Sequence, residues 1–182
     1  MDNFKFRQAL SYCKSYKEEN NAVLNLNSEF ITPSFIATVA TFIKSNNIQK
    51  SNFLYSGDDS YLTTIGFYNE LWNVPFVISR HMNGLSYSPL MLLDDPNKTD
   101  SATSTINSCI YRLLKNNSSY VNELCEVIGE LHDNVWSHGQ GLGFSIAQYY
   151  QKSNRIEFAI VDCGKGFLRE LNSANVPGIN NH

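Results

Sequence analysis

The sequence predicts a mixed α/β protein in which helices and strands alternate. Short β-branched or aromatic runs alternate with helical periodicities in the first half. A long amphipathic segment then leads into two strand-like runs joined by a turn. At 182 residues, the chain can hold one domain or two small ones.

The first half predicts a small α/β module over residues 1–95. Asn21 to Asn27 contains a short strand, and Thr32-Pro33-Ser34 begins a helix of about three turns, because Pro is favoured at an early helical position. Further elements are expected along this half: a strand at 52–55, a helix at 60–71 and a strand at 85–93. The polar, turn-rich run that follows contains Pro96 and predicts a linker at 96–101 before a second domain at 102–182.

The second half contains a predicted amphipathic helix with a polar column. Its apolar residues recur at three- and four-residue intervals: Tyr120, Leu124, Val127, Ile128, Leu131 and Val135. Glu130, Asn134 and His138 are four residues apart, so they form one column beside this stripe. A carboxylate and a carboxamide at the edge of a core contact can hold a metal or a polar ligand. Gly139 is placed to end the helix.

Two strands are predicted after this helix. Phe144 to Tyr150 forms the first, residues 152–154 form a hairpin turn, and Arg155 to Asp162 forms the second. Alternation along the second strand puts Asp162 in the same register as its core-facing side chains. Gly164 and Gly166 then suit a turn where the backbone approaches a ligand.

This order of motifs resembles the N box and first glycine box of the GHKL superfamily of ATP-binding domains. Glu130-x-x-x-Asn134 lies on a helix, and Asp162-x-Gly164-x-Gly166 follows a strand. The match covers roughly residues 102–170. The superfamily includes gyrase-type topoisomerases, heat-shock chaperone ATPases, histidine kinases and anti-sigma-factor kinases. The resemblance implies a Bergerat-type α/β sandwich, with helices on one face of a mixed sheet.

The resemblance also implies a role for each matching residue. Asp162 would accept a hydrogen bond from the adenine amino group, and Gly164 and Gly166 would form the turn that admits the base. Asn134 would bind Mg²⁺ through its side-chain oxygen, which is a hard ligand suited to that ion. Glu130 would be the general base that activates water. The cofactors implied are therefore ATP and Mg²⁺.

Two further positions are less closely tied to the motif. His138 matches a histidine often found at the end of the N box in anti-sigma-kinase-like members, and we include it among the nucleotide-binding residues. The run from Asn25 to Ala37 resembles the strand-to-helix turn of STAS-like domains, which pair with such kinases in bacteria. An unspecialised α/β module is an equally good interpretation of that run.

Each candidate residue also has a purely structural interpretation. Asp162 could cap the turn at the end of its strand. Glu130 and Asn134 could belong to a solvated helix face. We expect His132 to be an ordinary surface or partly packed histidine. The two motifs occurring together, in order and with a hairpin between them, favour the nucleotide site.

Composition narrows the class of function. The net charge is −3, from 17 acidic and 14 basic side chains, so no nucleic-acid groove or anionic membrane surface is expected. The four cysteines lack Cys-x-x-Cys spacing and no apolar run is long enough to span a bilayer, which favours a reduced, cytoplasmic protein. Lys165 lies in Gly-Lys-Gly, which is not a P-loop because the upstream glycine and the following Ser or Thr are missing.

The expected function is ATP binding by a GHKL-type domain in a bacterial signalling protein, with hydrolysis or phosphoryl transfer to a protein partner. The second phosphate-binding half of the family's site is expected to be missing, so the chain would be a fragment or a shortened form and its turnover is in doubt. The alternative is an interaction module that keeps the fold without using ATP. The partner is not identified by the sequence, which allows a homodimer.

Overall fold

The computed structural model describes residues 3–28, 30–75, 86–114, 119–137 and 141–164. Within these ranges the chain forms helices around two small sheets, which confirms the mixed α and β class. The helices are α1 Asn3–Glu18, α2 Pro33–Ser45, α3 Ser60–Thr64, α4 Phe67–Trp72, α5 Pro96–Leu114 and α6 Ser119–Ser137. The strands are β1 Leu24–Leu26, β2 Phe53–Tyr55, β3 Met91–Leu93, β4 Gly143–Tyr150 and β5 Arg155–Asp162.

The first sheet is built from a strand–helix–strand unit. β1 pairs in parallel with β2, and α2 makes the crossover between them. Helix α2 begins as predicted, because the Thr32 side chain accepts a hydrogen bond from the Phe35 amide and Pro33 occupies the first helical position. Helix α1 packs against α2 and has no counterpart among the sequence predictions.

Two predictions in the first half were too long. The helix expected over 60–71 is two short helices, α3 and α4, because the chain turns at Gly66 with φ of 79°. The strand expected over 85–93 is limited to Met91–Leu93 among the described residues, and Tyr87 adds one isolated bridge to Gln148. Residue 85 lies outside the described ranges.

The predicted linker at 96–101 is wrong as local structure, because these residues are the first turns of α5. The Asp95 side chain accepts a hydrogen bond from the Lys98 amide at 3.0 Å, as an N-cap does. Lys98 also pairs with Asp94 at 2.7 Å. Thr99 and Ala102 are buried, so this polar segment is anchored to the core by a few small side chains.

The second sheet is an antiparallel arrangement of β3, β4 and β5 in that order. β4 and β5 form a hairpin in which Gly143 pairs with Asp162 and Tyr150 pairs with Arg155. Asn154 makes the turn with φ of 46°, in the left-handed region that Asn tolerates. The bounds of β5 match the prediction, and β4 begins one residue earlier than expected.

Helices cover both faces of this sheet. Phe144, Ile146 and Ala159 lie in the cluster that includes α2 and the first sheet. Alternate residues point the other way, where Ala147 and Phe158 pack with apolar residues of α5 and α6. The two predicted domains, 1–95 and 102–182, therefore share a core across the sheet.

Polar contacts also join the two halves on the α2 face of the sheet. The Ser34 hydroxyl donates to Glu157 at 3.2 Å, and the Tyr61 hydroxyl donates to Gln148 at 2.8 Å. The Thr41 hydroxyl donates to the Val161 carbonyl at 3.0 Å. Among the helices described, none has both the length and the apolar character needed to cross a membrane.

Replacing Phe35 with Ala should lower the free energy of unfolding by about 3–5 kcal/mol, because the ring is 2% exposed and its loss leaves a cavity. Phe30→Ala is the matched control, since that ring is 57% exposed and its removal should cost far less. Urea denaturation of both variants measures the difference. Equal losses would contradict the described core.

Candidate functional site

The buried face of helix α6 overlaps the predicted one but is rotated from it around the helix axis. Its buried residues are Val121, Cys125, Ile128, His132 and Val135. Tyr120, Val127 and Leu131, which were expected to be buried, are 68%, 54% and 39% exposed. The prediction is confirmed for Ile128 and Val135 and wrong for these three residues, because it counted only apolar side chains, whereas a histidine occupies one of the core positions.

Glu130 and Asn134 both lie on the exposed side of α6. They are one helical turn apart, as the four-residue spacing requires. Neither side chain makes a hydrogen bond or an ion pair with another described residue, so both can take a ligand. Their oxygens have the hard character that Mg²⁺ prefers.

Asp162 ends β5 as an exposed residue in the same register as Ile160. Ile160 packs in the cluster that contains Val135 of α6, so Asp162 lies on the α6 side of the sheet. One oxygen of its carboxylate accepts a hydrogen bond from the Gly164 amide at 2.8 Å. One carboxylate oxygen of Asp162 therefore caps the turn, as the structural interpretation expected, while the residue remains exposed to solvent.

A glycine corner joins the end of α6 to the end of β5. A Cβ atom placed on Gly143 would be 3.1 Å from Val135 Cγ1 and 3.2 Å from Asp162 Cβ. A Cβ atom on Gly141 would be only 2.7 Å from the Gly164 backbone. Glycine therefore permits the close approach that sets Asp162 beside the last turns of α6, where Asn134 lies.

Two predicted site residues, His138 and Gly166, lie outside the described residues, as do Gly139 and Lys165. Glu130, Asn134 and Asp162 are all exposed, and Asp162 lies beside Val135 in the last turns of α6. Glu130 and Asn134 themselves point away from the sheet, because each is two residues from the sheet-facing His132.

His132 is the functional-looking residue that sequence analysis placed wrongly. It is fully buried rather than on the surface, and both ring nitrogens are hydrogen-bonded. Nδ1 lies 2.8 Å from the Thr103 hydroxyl of α5, and Nε2 lies 2.8 Å from the Ser145 hydroxyl of β4. The spacing of Ile128, His132 and Val135 by four and three residues was the sequence pattern that could have revealed this.

The hydrogen bonds fix the tautomer of His132. The Thr103 hydroxyl donates its single proton to the Thr99 carbonyl at 3.0 Å, so it can only accept from Nδ1–H. Nε2 is then the acceptor for the Ser145 hydroxyl. Burial lowers the pKa of His132 from 6.5 to about 4, so the ring is neutral near pH 7. These hydrogen bonds link α5, α6 and β4, so His132 has a structural role.

Two concave surfaces lie away from these residues. A cavity of about 400 Å³ is lined by aromatic side chains of β2 and α4 together with Lys50 and Asp59. A second, of about 330 Å³, runs along α5 beside Tyr87 and Arg112. In the part of the chain that the structure describes, no three His, Cys, Asp or Glu side chains are grouped to share a metal ion.

Comparisons with known proteins identify no relative of this chain. No protein-family model, no curated protein and no solved structure matches the chain.

The buried His132 should make stability depend on pH in a specific direction. The unfolded histidine binds a proton near pH 6.5, whereas the folded one does so only near pH 4. Stability from this site is full above pH 6.5 and falls as the pH is lowered towards 4, by about 1.4 kcal/mol per pH unit.

His132→Gln is the matched variant, because a neutral amide can still donate to Thr103 and accept from Ser145. Urea denaturation from pH 7 to pH 4.5 should show the wild type losing stability faster than the variant. The carboxylates titrate in both proteins and cancel in the comparison. Parallel pH profiles would contradict the assignment of His132.

Proposed function

We propose that this chain binds ATP and Mg²⁺ as a GHKL-type domain, at the corner between α6 and the end of β5. The observation that carries the proposal is the placement of Asp162 beside the last turns of a helix that exposes Glu130 and Asn134. A buried position for any of the three would have removed the basis of the motif.

The proposed roles follow from the chemistry of each group. The Asp162 carboxylate, held by the Gly164 amide, presents a charged acceptor to the amino group of adenine. Asn134 offers an exposed amide oxygen to Mg²⁺, and the ion would neutralise phosphate charge when bound. Glu130, one turn away, is the base that orients water or a protein hydroxyl. His138 and Gly166 are included from the motif alone.

The fold agrees with the proposed Bergerat-type sandwich in one respect and departs from it in another. Helices α5 and α6 lie together on one face of the antiparallel sheet, but α2 covers the opposite face, whereas the resemblance implies helices on one face of a mixed sheet. The strand–helix–strand unit of β1, α2 and β2 would be the STAS-like regulatory module. Together they would form a cytoplasmic signalling protein that acts on, or is regulated by, a protein partner.

A second candidate function is an interaction module that does not use ATP. The observation that favours it is the apolar stripe that α6 exposes beside Glu130, formed by Tyr120, Val127 and Leu131. The two functions differ in their response to nucleotide. Binding at a concentration one hundred times Kd should raise the free energy of unfolding by about 2.7 kcal/mol, and the interaction module predicts no change.

Asp162→Asn should weaken ATP binding at least tenfold, because a hydrogen bond to a charged acceptor contributes about 1.5–3 kcal/mol. Asn keeps an oxygen that can accept from the Gly164 amide, so the turn should survive. Isothermal titration calorimetry with Mg-ATP measures the change. Asp100→Asn, an exposed change on α5, is the control and should bind like the wild type. Equal affinities for all three proteins would remove Asp162 from the site.

Glu130→Gln should reduce ATP hydrolysis by about 10²–10⁴-fold while leaving ATP affinity nearly unchanged, because it removes a base and keeps the shape of the side chain. Phosphate release and calorimetry report the two quantities separately. Glu126→Gln, an exposed change one turn earlier on α6, should affect neither. If the wild type releases no phosphate, or if Glu130→Gln abolishes binding, Glu130 is not the catalytic base.

A further inference from the structure

Helix α6 presents an acidic surface with an exposed apolar row. It carries four acidic side chains, Glu123, Glu126, Glu130 and Asp133, and no Lys or Arg. Val127 and Leu131 are one turn apart on this exposed side, and Tyr120 lies in the same row seven residues before Val127. We call this surface the acidic face. Exposed apolar side chains that form a continuous row are typical of a surface that contacts another protein.

Helix α1 presents a surface of opposite charge and similar shape. It carries four basic side chains, Lys5, Arg7, Lys14 and Lys17, against one acid, Glu18. Phe6 and Leu10 are one turn apart and are 38% and 45% exposed. Arg7 and Lys14 are exposed seven residues apart beside this pair. We call this surface the basic face.

The two faces resemble each other in layout and complement each other in charge. Each has two apolar side chains four residues apart, Phe6 and Leu10 on α1 and Val127 and Leu131 on α6. Each also has two exposed charges spaced by seven residues, Arg7 and Lys14 or Glu123 and Glu130. Lys14 is already paired with Glu18 at 3.7 Å, but both side chains are more than half exposed, so this ion pair contributes little and can be exchanged.

The two faces cannot meet within one molecule. Helix α1 packs on α2, which covers one face of the β3–β4–β5 sheet. Helix α6 packs with α5 on the opposite face of the same sheet. The sheet and α2 therefore separate the acidic face from the basic face, and a contact between them requires two copies of the chain.

We propose that this chain associates head to tail, with the basic face of α1 in one copy packed against the acidic face of α6 in the next. Association buries the apolar pairs, and the opposite charges select the orientation and disfavour contacts between like faces. The contact is heterologous, so it leaves one free face at each end of the assembly and larger species form as concentration rises. This proposal does not depend on nucleotide binding.

Analytical ultracentrifugation of the full chain tests the association. At low salt, the average mass should rise with concentration, and it should fall when about 1 M salt screens the charges to a Debye length of about 3 Å. A wild type that stays monomeric at every concentration at low salt would overturn the proposal and leave the acidic face to a different partner.

Two triple variants test which faces are used. The first blocks the basic face with Arg7→Glu, Leu10→Glu and Lys14→Glu. The second blocks the acidic face with Glu123→Lys, Glu126→Lys and Leu131→Lys, and leaves Glu130, Asn134 and Asp162 unchanged. Each variant alone should be monomeric, because no copy then offers an intact pair of faces.

Mixing the two variants gives the decisive result. The intact acidic face of the first variant meets the intact basic face of the second, so the mixture should associate whereas each variant alone stays monomeric. Lys152→Glu and Asp100→Lys, exposed charge reversals outside both faces, should associate like the wild type. Thermal denaturation monitored by circular dichroism checks that every variant is folded. Variants that still associate alone, or a mixture of folded variants that stays monomeric, would overturn the head-to-tail contact.

Discussion

Strand β4 is buried on both of its faces, and the described fold is arranged to cover it. Residues 143–147 are all buried, with Phe144 and Ile146 facing α2 and Ala147 facing α5 and α6. Because neither face of this segment meets water, neither half of the chain completes its core alone. The packing of α2 against a hairpin that lies more than a hundred residues later in the chain follows from this requirement.

One polar side chain on β4 helps to set the rotation of α6, together with the buried apolar residues of that helix. Ser145 is fully buried, and a buried hydroxyl without a partner costs about 1–3 kcal/mol. The His132 ring satisfies it and must therefore face the sheet. Glu130 and Asn134 are each two residues from His132, which is about 200° around the helix, so they point to solvent. The buried hydrogen bond thus exposes the two residues on which the proposed metal site depends.

Local chemistry in the sequence was enough to predict some elements and not others. The bounds of β5 follow from its alternation, and the start of α2 follows from Thr32 and Pro33, so both predictions were confirmed. The face of α6 could not be predicted locally, because the partner that brings His132 into the core lies on β4. Residues 96–101 appeared to be a linker because they are polar, yet Asp95 caps a helix there and the buried Thr99 anchors it. The first failure arose from a contact with another element, and the second from a local cap and a buried side chain that the polar composition of the segment did not indicate.

Two proposed functions, nucleotide binding and self-association, use neighbouring residues on the exposed side of α6. Leu131 of the acidic face is only three residues from Asn134, which corresponds to about 4.5 Å along the helix axis. A helix from a second copy that covers Leu131 would therefore approach the corner where Asp162 and Asn134 are proposed to hold the nucleotide. Glu130 belongs to both surfaces, so its charge cannot serve an ion pair and a water molecule at once. If both proposals hold, association and nucleotide binding oppose each other, and by thermodynamic linkage each weakens the other by the same factor.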